Sequence, residues 1–378
     1  MKLQFDKNKE YAVALAGGGA KGAYQIGAWR AFEEAGLRIK AISGTSVGAI
    51  NGAMLAMNRR ELAEHLWKNI SISQVIEYDD PQLLRVLTGD LGDISFRGVL
   101  RSLSDFIKAR GLDITPLRQM MVEHIDEDLV RASDIELYII TYSLSERREL
   151  ELRAKDLEPG TLNDMLLASA YLLAFRNEPL GGKRYADGAL TDVLPINVLI
   201  ENGYRDIIGI RLPSLGFERK VDIPEGVTVT IIEPRGKLGH TLRFDAQLSA
   251  SHIKTGYLDA MRVLYGLAGE EYAIDRTLTE RGAHRLLAGA VSAYFKGMGT
   301  PVSLREVNEK ILPRLGRGLS QGADYATVLI RCLEGAAIEA GIDAERIYTD
   351  IELIELIKAE GGKYAIIPQI AKLYQDTK

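Results

Sequence analysis

The sequence predicts an α/β fold followed by a helical C-terminal region, and three observations carry that prediction. Through the first half, short apolar runs alternate with stretches of helical period, the mark of parallel strands joined by crossover helices. A strand, a glycine-rich turn and a helix occur twice within the first 57 residues. After about residue 240 the strand pattern gives way to one amphipathic helix after another.

Taken in chain order, Tyr11 to Ala16 reads as a buried strand and Gly17 to Gly22 as a glycine-rich turn. Ala23 to Ala35 then reads as a helix, with Gly36 suited to a left-handed stop. Ala41 to Ser43 is a second short strand, Gly44 to Gly48 a tight turn, and a helix of small residues follows to about Met57, able to pack closely on a sheet. Residues 60–130 are less regular. There Val99, Leu100, Leu103, Phe106 and Ile107 share one helical face, which suits either core packing or a lid or docking surface. Glu136 to Ser143 reads as a strand, Arg147 to Arg153 as its hairpin partner, Leu162 to Ala174 as a helix capped by Thr161, and Tyr185 as the start of a turn. The Val/Ile-rich runs Asp206 to Leu212 and Val227 to Ile232 are the last strands. Beyond them Ile253, Tyr257, Met261, Leu264 and Ala268 share a face, as do Tyr325, Val328, Leu329 and Cys332. The expected division is residues 1–240 for the α/β domain and 241–378 for the helical region.

Composition removes several classes. With 378 residues, 46% of them apolar and 26% charged, the chain reads as globular, of two or three domains. A net charge of −5 gives no global excess of cations for a polyanion, so no nucleic-acid partner is expected. The longest uncharged stretch, Ala41 to Asn58, contains Ser43, Thr45, Ser46 and Asn51 and is too polar for a membrane span. The single cysteine, Cys332, cannot form an internal disulfide and sits at an apolar helical position, while the start of the chain lacks a secretory pattern; a cytoplasmic location is expected. No run of carboxylates has the spacing of a calcium loop, and no metal or other cofactor is expected.

Three motifs bear on chemistry. Gly17, Gly19 and Gly22 match G-x-G-x-x-G between a strand and a helix, but the next strand ends in Ser43-Gly44-Thr45-Ser46, without the acidic residue that holds a ribose. A phosphate-binding loop fails as well, because Lys21 precedes the last glycine instead of following it. Gly44-Thr45-Ser46-Val47-Gly48 matches G-x-S-x-G, read either as a nucleophile elbow that presents Ser46 beside a helix N-terminus or as a glycine loop capped by serine. With the elbow in place, the amides of Gly17 to Gly19 become a candidate oxyanion hole, to which Lys21 either adds charge or stands as a solvated lysine. Among the histidines only His240, in a loop, resembles the base of an α/β-hydrolase triad; Asp187 in Tyr185-Ala186-Asp187-Gly188-Ala189 is the better placed base, its alternative being an ordinary Asp-Gly turn.

Together these residues resemble the patatin-like phospholipase family. Gly17-Gly18-Gly19-Ala20-Lys21-Gly22 is similar to its oxyanion loop, Gly44-Thr45-Ser46-Val47-Gly48 to its elbow and Asp187-Gly188-Ala189 to its base motif, in the family's order. The likeness covers roughly Tyr11 to Leu212, including Gly111 to Leu117, which is similar to a segment of bacterial members. It implies a three-layer α/β/α fold with a mainly parallel central sheet, a Ser46–Asp187 dyad that needs no histidine, and hydrolysis of a lipid or small ester, with peripheral membrane contact if the substrate is a lipid. Acyl transfer by the same dyad and a non-catalytic lipid-binding or scaffold role are the alternatives; Thr45 stands where acyltransferase relatives generally carry histidine, which favours hydrolysis. In the segment Ala168 to Phe175 the proline usual in the family is missing, and since that segment shapes the family's acyl pocket, substrate size is what the departure touches. The resemblance assigns no role or protein partner to the helical region.

Overall fold

The computed structural model describes residues 1–77, 111–319 and 324–361; the face from Val99 to Ile107 lies outside them. Two compact units result, Phe5–Ala260 and, separately, Met261–Lys378 with Met1–Gln4.

The first unit is built on a seven-stranded sheet. Strands β1 (Glu10–Leu15), β2 (Arg38–Thr45), β3 (Glu136–Ser143), β4 (Arg148–Arg153), β5 (Tyr185–Asp187), β6 (Asp206–Ile210) and β7 (Thr228–Ile232) run in the order β4-β3-β2-β1-β6-β7, with β5 also paired to β3. The pairs from β3 to β7 along this path are parallel, whereas β4 and β5 join β3 antiparallel. The sheet is therefore mainly parallel, and its central strands are covered on both faces, as their unbroken apolar runs require. Along β2 the alternation of side chains shows both coverings. Ile42 packs toward Gly52 of helix α2 (Val47–Ala56), while the Ser43 hydroxyl on the opposite face donates to the Pro195 carbonyl at 2.7 Å, just ahead of a helix at Ile196–Glu201. These are the three layers expected.

Helix α1 (Ala23–Ala35) ends as its sequence suggests, Gly36 adopting φ 70 and ψ 34. It packs tightly on a later helix, Ala246–Tyr265: a Cβ on Gly27 would lie 1.9 Å from the Ile253 carbonyl oxygen, and one on Gly256 would lie 2.0 Å from that of Tyr24. Only backbone fits at this crossing. The buried Tyr24 hydroxyl seals it by donating to Asp259 at 3.0 Å. This packing carries the sheet unit as far as Ala260, beyond the boundary expected at residue 240.

Two further expectations change. The helix read from Leu162 to Ala174 stops at Ser169, and the Thr161 hydroxyl donates to Glu158 instead of capping it; the Glu127 carboxylate accepts from the Gly160 and Leu162 amides in its place. The Tyr185 turn is a short strand, β5.

The second unit is helical, with Glu280–Gly297, Tyr325–Glu339 and Asp350–Gly361 as its longer helices, but it also holds a two-stranded parallel ladder, Ala273–Asp275 beside Ile347–Thr349. Its core clusters around Tyr272, Leu287, Leu329, Leu333 and Leu353. Cys332 is fully buried there and burial pushes its thiol up to about 12, as befits an inert packing residue. Among the described residues no helix is long and apolar enough to cross a membrane.

Glycine at the helix crossing is open to a paired test. Gly256→Val should destabilise the protein by about 2 kcal/mol or more in urea unfolding, since an overpacked backbone contact must be forced apart. Gly289→Ala, in an exposed helical position with open space around it, should be neutral or stabilising by up to about 1 kcal/mol.

Candidate active site

Ser46 stands at the junction of β2 and α2 with φ 56 and ψ −126, one of three non-glycine residues at positive φ among those described. Such a conformation costs of order 1–3 kcal/mol and persists only where the surroundings enforce it. Here the Ser46 amide donates to the Ser169 hydroxyl at 2.8 Å, Ser169 in turn donates to the Ile140 carbonyl at 2.5 Å, and Thr45 is tied through its hydroxyl to the Asp192 carbonyl at 2.8 Å. Gly48 lets the turn close onto the sheet, for a Cβ there would lie 2.2 Å from the Leu15 carbonyl oxygen. Ser46 thus sits at the N-terminus of α2, where unpaired amides favour negative charge.

Asp187 reaches the same place from 141 residues further on, through the register of β3. Thr45 is the last residue of β2 paired to β3, opposite Ile140; Asp187, the end of β5, pairs with the next residue, Thr141. One edge of one strand therefore sets the two residues side by side. The Asp187 amide donates to the Tyr171 carbonyl at 2.8 Å, and its Oδ1 accepts from the Ala189 amide at 2.8 Å. Burial pushes its carboxyl up to about 6, against the opposing pull of the Ser46 hydroxyl and the Ala189 amide. The Ser46 interaction lies outside ordinary hydrogen-bond geometry, since Oδ2 has no hydrogen-bond partner among the described residues; such contacts commonly tighten only around substrate.

The glycine loop lies against the serine: a Cβ on Gly17 would be 3.3 Å from Ser46 Cβ. Of the three amides expected to point outward, that of Gly17 is committed to the Val193 carbonyl at 2.9 Å, while those of Gly18 and Gly19 have no acceptor among the described residues. Lys21 is neither solvated nor aimed at the serine. Its buried Nζ donates to the Pro213 carbonyl, and burial lowers its pKa. Both ends of the loop are pinned by a buried polar network: Gln25 donates to the Ala16 carbonyl at 2.7 Å, Asn51 donates to the Gly22 carbonyl at 3.0 Å and to Gln25 Oε1 at 2.9 Å, and the Trp67 indole donates to Asn51 Oδ1 at 3.0 Å. Sequence reasoning missed Gln25, Asn51, Trp67 and Ser169; a polar residue inside an otherwise small and apolar helix, as Asn51 is, was the available signal. His240 is exposed, and no histidine takes part in the interactions of Ser46 or Asp187 described above.

An apolar cavity, partly open to solvent, is lined at one place by Ser46 and Gly19. Met54, Leu66, Trp67, Leu117, Met121 and Phe175 dominate its walls. The segment that lacks the family's proline forms part of this wall through Ala170, Leu172 and Phe175, and it leaves the helix after Ser169 to run past Asp187 and pair with Leu112. It touches both Ser46, through Ser169, and Asp187, through Tyr171.

Residues 13–200 match the family model described as patatin-like phospholipase, and through this domain the chain belongs to that family. Over 48 residues it is 50% identical to lysophospholipase nte1 of Aspergillus terreus, covering 13% of this chain and 3% of that protein. Over 197 residues it is 25% identical to an uncharacterized NTE family protein of Mycobacterium tuberculosis, covering 52% of this chain and 47% of the other. The chain thus spans between a few per cent and about half of these curated relatives. Among solved structures, VipD from Legionella pneumophila aligns at 14% identity and a TM-score of 0.42, over 97% of this chain and 85% of that one.

Two outcomes follow from the geometry. Asn51→Leu, which strands the Trp67 indole and frees the glycine loop, should lose about 1–3 kcal/mol of stability in denaturant unfolding. Asp192, buried near the base motif with Oδ2 unpartnered among the described residues, is pushed up to about 7 by burial. Both it and Asp187 bind a proton more tightly folded than unfolded, so their contribution to stability is complete at acid pH and is lost as pH rises from about 4 to about 7. Asp192→Asn should therefore raise the melting temperature at pH 8, with the gain shrinking toward pH 4.

Proposed function

We propose that this chain is a serine lipid acyl hydrolase of the phospholipase A or esterase type, with Ser46 as nucleophile and Asp187 as base. The observation that carries the reading is the pairing of Thr45 and Asp187 to successive residues of β3, which supports a place for Asp187 beside Ser46, a residue that lines an apolar cavity. In the first step Asp187 takes the hydroxyl proton as Ser46 Oγ attacks the ester carbonyl, and the carbonyl oxygen, now negative, is held by the amides of Gly18 and Gly19 at the dipole of α2. The tetrahedral adduct collapses, the alcohol leaves with the proton from Asp187, and the acyl group stays on Ser46. Water then attacks the acyl carbon, losing a proton to Asp187, and the adduct collapses as that proton passes to Ser46 Oγ and the acid leaves. The cavity takes the acyl chain, whose burial supplies roughly 0.8 kcal/mol for each methylene, and the substrate is an ester with an extended apolar acyl group.

A chain-length series of p-nitrophenyl esters tests this. Turnover should rise from short toward medium and long acyl chains, and Ser46→Ala and Asp187→Asn should each lose it by about 10³-fold or more, while Ser46→Ala also abolishes labelling by a fluorophosphonate. Because the base must be ionised, kcat/KM should fall below about pH 6, where burial has placed the Asp187 carboxyl. Full activity in Asp187→Asn, or a rate unchanged down to pH 4, would overturn the dyad.

A further inference from the structure

We infer that the loops bonded to the glycine turn and the base motif form a docking surface for an anionic lipid interface, built from exposed apolar tips on one side and a basic loop on the other. This rests on the hydrolase reading for its purpose, though not for its test.

The apolar side is the loop that follows β6. Leu215 is 92% exposed and Phe217 60%, against the usual burial of such side chains. They are not on a stray excursion, because the Phe217 amide donates to the Ala189 carbonyl at 2.8 Å and its carbonyl accepts from the Val193 amide at 2.7 Å, which straps the loop to the base motif. Leu190, within that motif, is exposed as well, and so is Leu173 in the segment whose Tyr171 carbonyl holds the Asp187 amide. Lys21 ties the same loop to the glycine turn by donating to the Pro213 carbonyl. Four large apolar side chains thus face solvent on segments bonded to the catalytic loops, an arrangement that costs solubility and suits insertion at an interface.

The basic side is the stretch between β7 and the helix at Ala246. It carries Arg235, Lys237, His240 and Arg243, with its two carboxylates at the ends: Glu233 pairs with Arg211 at 3.0 Å, and Asp245 Oδ1 accepts from the Leu248 amide at 2.8 Å. Those four side chains are exposed, and Lys237, His240 and Arg243 have no ion pair among the described residues. The stretch is anchored to the same site: the Thr241 carbonyl accepts from the Ala20 amide at 2.8 Å, and Leu242 and Phe244, on either side of Arg243, line the cavity with Ser46. Cations beside exposed apolar tips complement an anionic headgroup layer, which attracts each Lys or Arg brought near it. A bilayer surface fits this better than a free phosphate, for which the apolar tips would have no use.

The test is cosedimentation with vesicles of phosphatidylcholine alone or with 30% phosphatidylserine, beside hydrolysis of a soluble short-chain p-nitrophenyl ester. Wild type should prefer the anionic vesicles, with the preference weakening as salt is raised. Lys237→Gln with Arg243→Gln should weaken anionic binding by about tenfold or more, at about fivefold per charge, and Leu215→Asp with Phe217→Asp should remove binding to both vesicle types. All should keep hydrolysis of the soluble ester, which shows that they fold. Wild-type binding without anionic preference, variants that bind as wild type does, or no vesicle binding at all would overturn the docking surface, the last leaving a protein partner as the occupant. Loss of the hydrolase reading would register separately, as failure of wild type to cleave the soluble ester while circular dichroism shows the variants folded and the vesicle pattern stands.

Discussion

Strand β3 is asked to pair along one edge with two different strands in succession, and the whole site depends on it. Up to Ile140 the edge holds β2 in parallel; from Thr141 it holds β5 antiparallel. Hydrogen bonding fixes this handover to a single residue, so the end of β2 and the end of β5 meet without any contact between their side chains being required first. Gly188 is what allows the strands to come so close, since a Cβ there would lie 2.3 Å from the Ile140 carbonyl oxygen. A one-residue slip of β5 would turn Asp187 to the other face of the sheet, and the packing of Ala186 and Tyr185 resists it, because both are buried.

What surrounds this junction is polar groups held by backbone. Ser169 ties the Ser46 amide to Ile140, Thr45 is bonded to the carbonyl of Asp192, and the Gln25–Asn51–Trp67 network holds the two ends of the glycine loop. Each of these groups would cost about 1–3 kcal/mol if left unpaired in the interior, so the arrangement is rigid in a way that apolar packing alone would not make it. Asp187 is the exception. Its Oδ2 is buried and has no hydrogen-bond partner among the described residues.

Much of this was legible in the amino-acid sequence, and the exceptions have a common physical cause. The strand–turn–helix at Ser46, the stop at Gly36 and the buried strands were readable because each is local: spacing, a left-handed glycine and an apolar run suffice. The end of the helix at Ser169 was not, because Ala170 to Ala174 is good helical sequence overridden by pairing with Leu112 and Asp187 from elsewhere in the chain. The free amides were misjudged by one residue for the same reason, Val193 taking the Gly17 amide from 176 positions away. Neither reading open for Lys21, added charge at the glycine turn or a solvated lysine, is what the structure shows, because nothing nearby in sequence announces Pro213. The short ladder in the second unit joins Ala273–Asp275 to Ile347–Thr349, segments too brief to stand out by periodicity.

The left-handed backbone at Ser46 sets a direction for the chain's evolution. Glycine would adopt φ 56 without penalty, so the residue that the proposed chemistry cannot lose is one whose replacement would relieve strain. Stability and turnover pull against each other at this position, as they commonly do in strained sites. A duplicated copy released from selection for turnover would meet no structural resistance to exchanging this serine, and could persist as a better-folded lipid-binding relative with the cavity intact. A serine here is held in a backbone conformation that glycine would take at no cost, so the position carries strain that packing elsewhere must offset.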